Sequence, residues 1–161
     1  MLKAVNLTKK FDDLVAVDHI NAEIKSGSVF GLIGTNGAGK STTMNIMTGC
    51  MGATQGEVLI NGYDILKEPE KAKRYIGYLP EHPPLYMDMT VREYLDFAAE
   101  LKGIRKSQRR EAVDEAEKMV KVQDVEHRLI RNLSKGYRQR VGLAQAILGF
   151  PDMIILDEPS V

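Results

Sequence analysis

Cysteine, tryptophan and net charge are what this sequence has least of. Its 161 residues include one cysteine and no tryptophan, and 22 basic residues are matched by 22 acidic ones. The single thiol, Cys50, excludes an internal disulfide framework and reads as an ordinary small apolar residue near the end of a helix. His19, His82 and His127 stand far apart and form no cluster with cysteine, so no spacing fits a transition-metal site. Charge balance removes any global field toward nucleic acid or acidic lipid, and such a partner would need a local patch. The basic cluster Arg105, Lys106, Arg109 and Arg110 has no interleaved aromatics and is followed at once by Glu111, Asp114, Glu115 and Glu117. It reads as a solvated helix start, with no nucleic acid as partner. No apolar stretch approaches the ~20 residues that span a bilayer, and the N-terminus lacks the apolar core of a secretion signal. A soluble, cytoplasmic chain is expected. There is no internal repeat and no low-complexity tract, and the length suits one domain burying ~70% of its unfolded surface.

The glycines that are present are concentrated where they matter most. Gly34-Thr35-Asn36-Gly37-Ala38-Gly39-Lys40-Ser41 fits the phosphate-loop pattern G-x-x-x-x-G-K-[ST]. The apolar run 29–33 before it reads as a buried strand, and the helix after it, through about residue 49, begins at the loop. Glycine at 34, 37 and 39 lets successive N–H groups turn inward around phosphate oxygens. Lys40 is placed to reach the β- and γ-phosphates of a nucleoside triphosphate. Ser41, followed by Thr42, offers a hydroxyl to Mg²⁺, and the helix N-terminus faces the same anion.

Strands and helices alternate along the chain, which places it in the α/β class. Residues 2–7 and 15–24 are strand-like, with antiparallel pairing between them expected. Residues 56–62 form a short strand ended by Asn61-Gly62, and 75–79 another apolar run before Pro80, Pro83 and Pro84. Thr90-Val91-Arg92-Glu93 is a capping box opening a helix whose Val91, Leu95, Ala98 and Leu101 are assigned to one face before Gly103. A helix over 107–122 follows, with Asp114/Lys118 and Glu117/Lys121 at the i,i+4 spacing of an exposed face. Ser134 caps a further helix with an apolar stripe of Val141, Ala144 and Leu148, closed by Gly149 and Pro151.

Met153-Ile154-Ile155-Leu156-Asp157-Glu158 is an apolar strand ending in two acids, as strands of a parallel sheet do at the edge where ligands bind. Asp157 is a candidate Mg²⁺ holder, and Glu158 a candidate base that orients and deprotonates an attacking water.

Between these sites, Leu133-Ser134-Lys135-Gly136 followed by Arg138-Gln139-Arg140 resembles the signature motif of the ATP-binding cassette family. With the phosphate loop upstream and the acidic strand downstream, the resemblance covers essentially the whole chain. It implies a phosphate-loop NTPase core with a mostly parallel sheet, an antiparallel β portion and an inserted helical subdomain over 81–142. It also implies ATP and Mg²⁺ as ligands. The family brings two cassettes together head to tail, so that Ser134 and Gly136 would contact the γ-phosphate held by the partner's phosphate loop. Phe11 stands where the family stacks an aromatic ring on adenine, a contact worth ~1–3 kcal/mol per base. Gly77-Tyr78-Leu79-Pro80-Glu81 matches the segment that ends in the family's glutamine, which touches Mg²⁺ or the lytic water; here the residue is Glu81, which when ionised cannot donate a hydrogen bond. Lys135 replaces the usual glycine and Tyr137 the usual glutamine, a pattern similar to the export, multidrug and gliding-type subset. Leu85, Tyr86, Met87 and Met89 crowd apolar surface where the family receives a short helix of its membrane subunit.

The resemblance implies the ATP-hydrolysing subunit of a membrane exporter, peripheral on the inner face of the cell membrane. Its partners would be a second nucleotide-binding subunit, as a homodimer, and a separate transmembrane permease. The family continues past Asp-Glu-Pro-Ser-x to an interface aspartate and a histidine at the γ-phosphate, so residues 1–161 are expected to be one cassette lacking its C-terminal part. The alternatives are a non-transport cassette ATPase and a catalytically silent nucleotide-binding module.

Overall fold

Apolar residues at Leu2, Ala4 and Leu7 drive one face of the first strand inward, with a shift of register at Asn6, whose φ is 48°. In the computed structural model, which describes residues 1–159, this strand is β1 (Leu2–Phe11). It pairs antiparallel with β2 (Leu14–Ile24) on one side and β3 (Gln55–Ile60) on the other. Asn61 and Gly62 then take φ of 49° and 87°, the two left-handed positions that a tight hairpin turn requires, and lead into β4 (Tyr63–Asp64). The sheet order is β2-β1-β3-β4. Helix α1 (Lys40–Met47) buries Ile46 and Met47, and the short α2 (Pro69–Lys73) buries Ala72. These elements make a compact unit over Met1–Ile76; a second compact unit runs from Gly77 onward.

The second unit is built on three helices. α3 (Val91–Leu101) opens on the expected capping box: Thr90 Oγ1 accepts from the Glu93 N–H, and Glu93 Oε2 accepts from the Thr90 N–H. α4 (Lys106–Val120) ends at Lys121 in the left-handed region, and α5 (Lys135–Ile147) follows the Ser134 cap. Val91, Leu95, Val113, Ala116, Val141 and Ala144 close the core between them. Strands β5 (Ile76–Leu79) and β6 (Met153–Leu156) form a two-stranded sheet, the parallel component among the described residues. α5 lies directly on β5: a Cβ on Gly77 would meet the Ala146 carbonyl oxygen at 2.0 Å. The helix continues unbroken through position 142, where the helical subdomain was expected to end.

Four expectations are corrected. Residues 29–33 form no strand, and Val29 and Ile33 are fully exposed, because no described strand ladders to them. An apolar run specifies a need for neighbours; it does not supply them. Leu101 is 71% exposed, since at 100° per residue it lies about 80° around α3 from Val91. Cys50 is exposed, lying beyond the last turn of α1. Finally, Glu117 is not on a solvated face: it is spaced four residues from Val113 and is buried with it, and both Asp114 and Glu117 pair with Arg92 of α3 instead of with lysines one turn on.

Candidate nucleotide-binding site

The phosphate loop is shaped by one backbone contact. Gly39 takes φ 83°, and a Cβ there would lie 2.2 Å from the carbonyl oxygen of Ala16 on β2, so only glycine lets the loop rest on that strand. Immediately after it, α1 starts, and the Gly39 carbonyl accepts both the N–H of Thr43 (2.8 Å) and the Thr43 hydroxyl (2.8 Å). Residues 34–38 are exposed, Lys40 and Thr42 are half-buried and Ser41 is exposed. The Lys40 ammonium donates to the carbonyl oxygens of Gly34 (2.9 Å) and Thr35 (3.0 Å), which holds it over the loop's concave side. The Ala38 N–H donates to the Thr35 carbonyl, leaving Asn36 and Gly37 at the tip.

Phe11 is carried to the same sheet by β1, and it pairs with Leu14 two residues before the strand reaches Ala16. The residue is 42% exposed. The Lys9 ammonium, two residues back on the same face of the strand, lies 5.2 Å from the ring centroid and donates to the Gly52 carbonyl. One ring face is therefore covered by a cation.

In the second unit, the acidic strand and the Glu81 loop are brought together. The Asp157 N–H donates to the Leu79 carbonyl (2.9 Å), so the chain leaves β6 beside Pro80 and Glu81 as it leaves β5. Asp157 is 4% exposed. Glu158 is exposed and takes φ 47°, a left-handed conformation uncommon for a residue with a Cβ. Glu81 is exposed, with its carboxylate 3.8 Å from His82 Nδ1. The Ser160 and Val161 positions of the Asp-Glu-Pro-Ser-x segment lie outside the described residues.

The signature segment sits at the N-terminus of α5. Ser134 Oγ accepts from the Tyr137 N–H (3.3 Å), and Ser134, Lys135 and Gly136 are exposed. A Cβ on Gly136 would meet nothing within 4 Å, so its bareness serves no packing within this chain. Sequence reasoning missed two anchors here. The Arg138 guanidinium donates to the carbonyls of Ile130 (3.3 Å) and Arg131 (2.8 Å), and the Tyr137 hydroxyl donates to Asp124 Oδ2 (2.6 Å), which raises the phenol pKa above its ordinary value. Neither pairing has a local signal, whereas the Lys9–Phe11 pair was readable from its i,i+2 spacing.

No group of three or more His, Cys, Asp or Glu side chains converges on a metal position among the described residues. A divalent cation held through the Ser41 hydroxyl would thus take most of its oxygen ligands from a nucleotide and water, as Mg²⁺ at phosphates does.

The family model described as "ABC transporter" matches residues 17–161. The bacitracin transport ATP-binding protein of Bacillus licheniformis is 37% identical over 160 residues, covering 99% of this chain and 51% of the relative. A solved ATP-binding subunit of an ABC transporter superposes with a TM-score of 0.91 at 30% identity, covering 100% of this chain and 67% of that one. A dimeric ATP-binding cassette in a post-hydrolysis state, bound to ADP and phosphate, superposes with a TM-score of 0.89 at 29% identity, covering 99% and 75%. The chain spans about half the length of the bacitracin relative. By sequence and by fold, it belongs to the ABC transporter family.

Proposed function

We propose that the chain is the ATP-binding and ATP-hydrolysing part of an ABC exporter, a single cassette with a helical subdomain over 81–142. It would work as a dimer with a second copy, peripheral on the cytoplasmic face of the membrane and joined to a separate permease. No helix among the described residues is long and apolar enough to cross a membrane itself. The observation that carries the reading is the contrast between two consecutive acids, Asp157 buried at the strand end and Glu158 exposed beside it in a strained backbone conformation.

In this reading Phe11 would stack on adenine, the N–H groups of the phosphate loop and the Lys40 ammonium would hold the phosphates, Ser41 would offer its hydroxyl to Mg²⁺, and Asp157 and Glu81 are the carboxylates proposed for the same ion. Mg²⁺ supplies positive charge that offsets the charge on the β- and γ-phosphate oxygens. Glu158 accepts a proton from a water whose oxygen bonds to the γ-phosphorus as the bond to the β–γ bridging oxygen breaks, leaving ADP and phosphate. Ser134 and Gly136 face the partner's γ-phosphate with the N-terminus of α5. Tyr86 and Met87, exposed beside the packed Leu85 and Met89, offer the permease an apolar surface.

Two variants test it. Lys40→Ala is expected to remove most affinity for Mg²⁺-ATP with the circular dichroism unchanged. Glu158→Gln is expected to keep ATP bound while hydrolysis falls a hundredfold or more, on the order of the loss of a general base. Wild-type turnover in Glu158→Gln rejects the catalytic assignment. Nucleotide binding without turnover is the second reading, favoured by the absence of a strand at 29–33, and it predicts ATP binding with no hydrolysis in the unaltered chain.

A further inference from the structure

Tyr137 and Asp124 are thirteen residues apart and belong to different elements: Tyr137 to the first turn of α5, Asp124 to the 3-10 turn Gln123–Val125 that follows α4. Their bond at 2.6 Å is charge-assisted, the strong kind. The Tyr137 ring packs on the helical core, and the Arg140 guanidinium lies 5.6 Å from its centroid. Arg138, the next residue, draws the same turn toward the Ile130 and Arg131 carbonyls. The first turn of α5 is thus held by side chains from two directions, while Ser134 and Gly136 at its tip are exposed and a Cβ on Gly136 would meet nothing within 4 Å. Such a turn is rigid on the inside and bare on the outside.

We propose that Tyr137 is a positioning residue: through its hydrogen bond to Asp124 it fixes the direction of the α5 N-terminus before a second nucleotide-loaded copy arrives. This rests on the dimeric reading above. Holding the Ser134 hydroxyl and the free N–H groups in place in the single chain removes an ordering cost from association, and it leaves the chain's own phosphate loop, in the other unit, unaffected.

The test uses the full chain with Tyr137→Phe, Asp124→Ala, Asp124→Asn and the Tyr137→Phe/Asp124→Ala pair. Three quantities are measured: Mg²⁺-ATP affinity, amide hydrogen exchange over 133–138, and ATP-dependent self-association by sedimentation. Tyr137→Phe is expected to leave ATP affinity unchanged, to speed exchange about tenfold and to weaken association about tenfold, as one charge-assisted bond allows. Asp124→Ala should match it, the pair should be no worse than either, and Asp124→Asn, which keeps a neutral acceptor, should restore both readouts in part. Unchanged exchange in Tyr137→Phe, or additive single effects, overturns the clamp. Faster exchange with undiminished association reduces it to a structural bond and overturns the positioning role. A wild-type chain that binds no ATP or does not associate counts against the proposed function, and the clamp is then judged on exchange alone.

Discussion

Glu117 shows how one side chain can depart from its position's pattern. It is 1% exposed; Oε2 accepts from Arg92 Nη1 at 3.1 Å, and Oε1 has no hydrogen-bond partner. Burial raises its pKa above the ordinary carboxylate value against the opposing pull of Arg92, and Glu126 and Asp114 add to the rise. Arg92 is shared: it also pairs with Asp114 and lies 3.8 Å from Asp96 and 3.9 Å from Glu126. A raised carboxyl pKa means the folded chain binds a proton that the unfolded chain has already lost. The resulting stability is fully present below the unfolded value of 4.5 and is lost as pH rises through the folded value. Glu117→Gln, which keeps the shape without the charge, should flatten that decline. Urea unfolding at about pH 5 and about pH 8 reads it: the variant should gain on wild type as pH rises, and a constant difference between the two would show that the carboxyl titrates normally.

At the level of elements, helix ends were the most legible features. The Thr90 capping box is a local code read within four residues, and all of its hydrogen bonds form. The Val91 and Arg92 N–H groups donate to the Arg128 and Glu126 carbonyls, whereas the Glu93 N–H depends on the Thr90 hydroxyl, so Thr90→Ala should cost ~1 kcal/mol of unfolding free energy, measured by denaturant titration. A loss below a few tenths would mean that water serves that group equally well. Ser134 was legible for the same reason, and so was the Asn61-Gly62 hairpin turn, whose positive φ values few residue types tolerate. Which face of a helix lies inward was less legible. Leu101 and Glu117 exchange the environments that their chemistry favours, since facing is decided by neighbouring helices that the local period does not name.

For the molecule as a whole, residues 29–33 are the largest departure from expectation. An exposed apolar segment without ladder partners is a template for pairing with another chain. Ile33→Lys should therefore lower concentration-dependent association, read by light scattering, while changing unfolding free energy by no more than ~0.5 kcal/mol, as for an exposed site. A clear loss of stability would place Ile33 in a packed environment in solution.

The phosphate loop, the capped signature segment and the acids after β6 could be read from sequence because each is a short code in which spacing specifies backbone shape: glycine for a left-handed turn, a hydroxyl for an orphan N–H, an acid at a strand end. The contacts that hold those codes in place could not. The Ala16 carbonyl against Gly39, the Leu79 carbonyl on the Asp157 N–H, and the Asp124 carboxylate on the Tyr137 phenol join residues 13 to 78 positions apart. Such contacts arise only when separate elements pack, because they depend on register and facing, and each of those depends on surfaces far away in the chain.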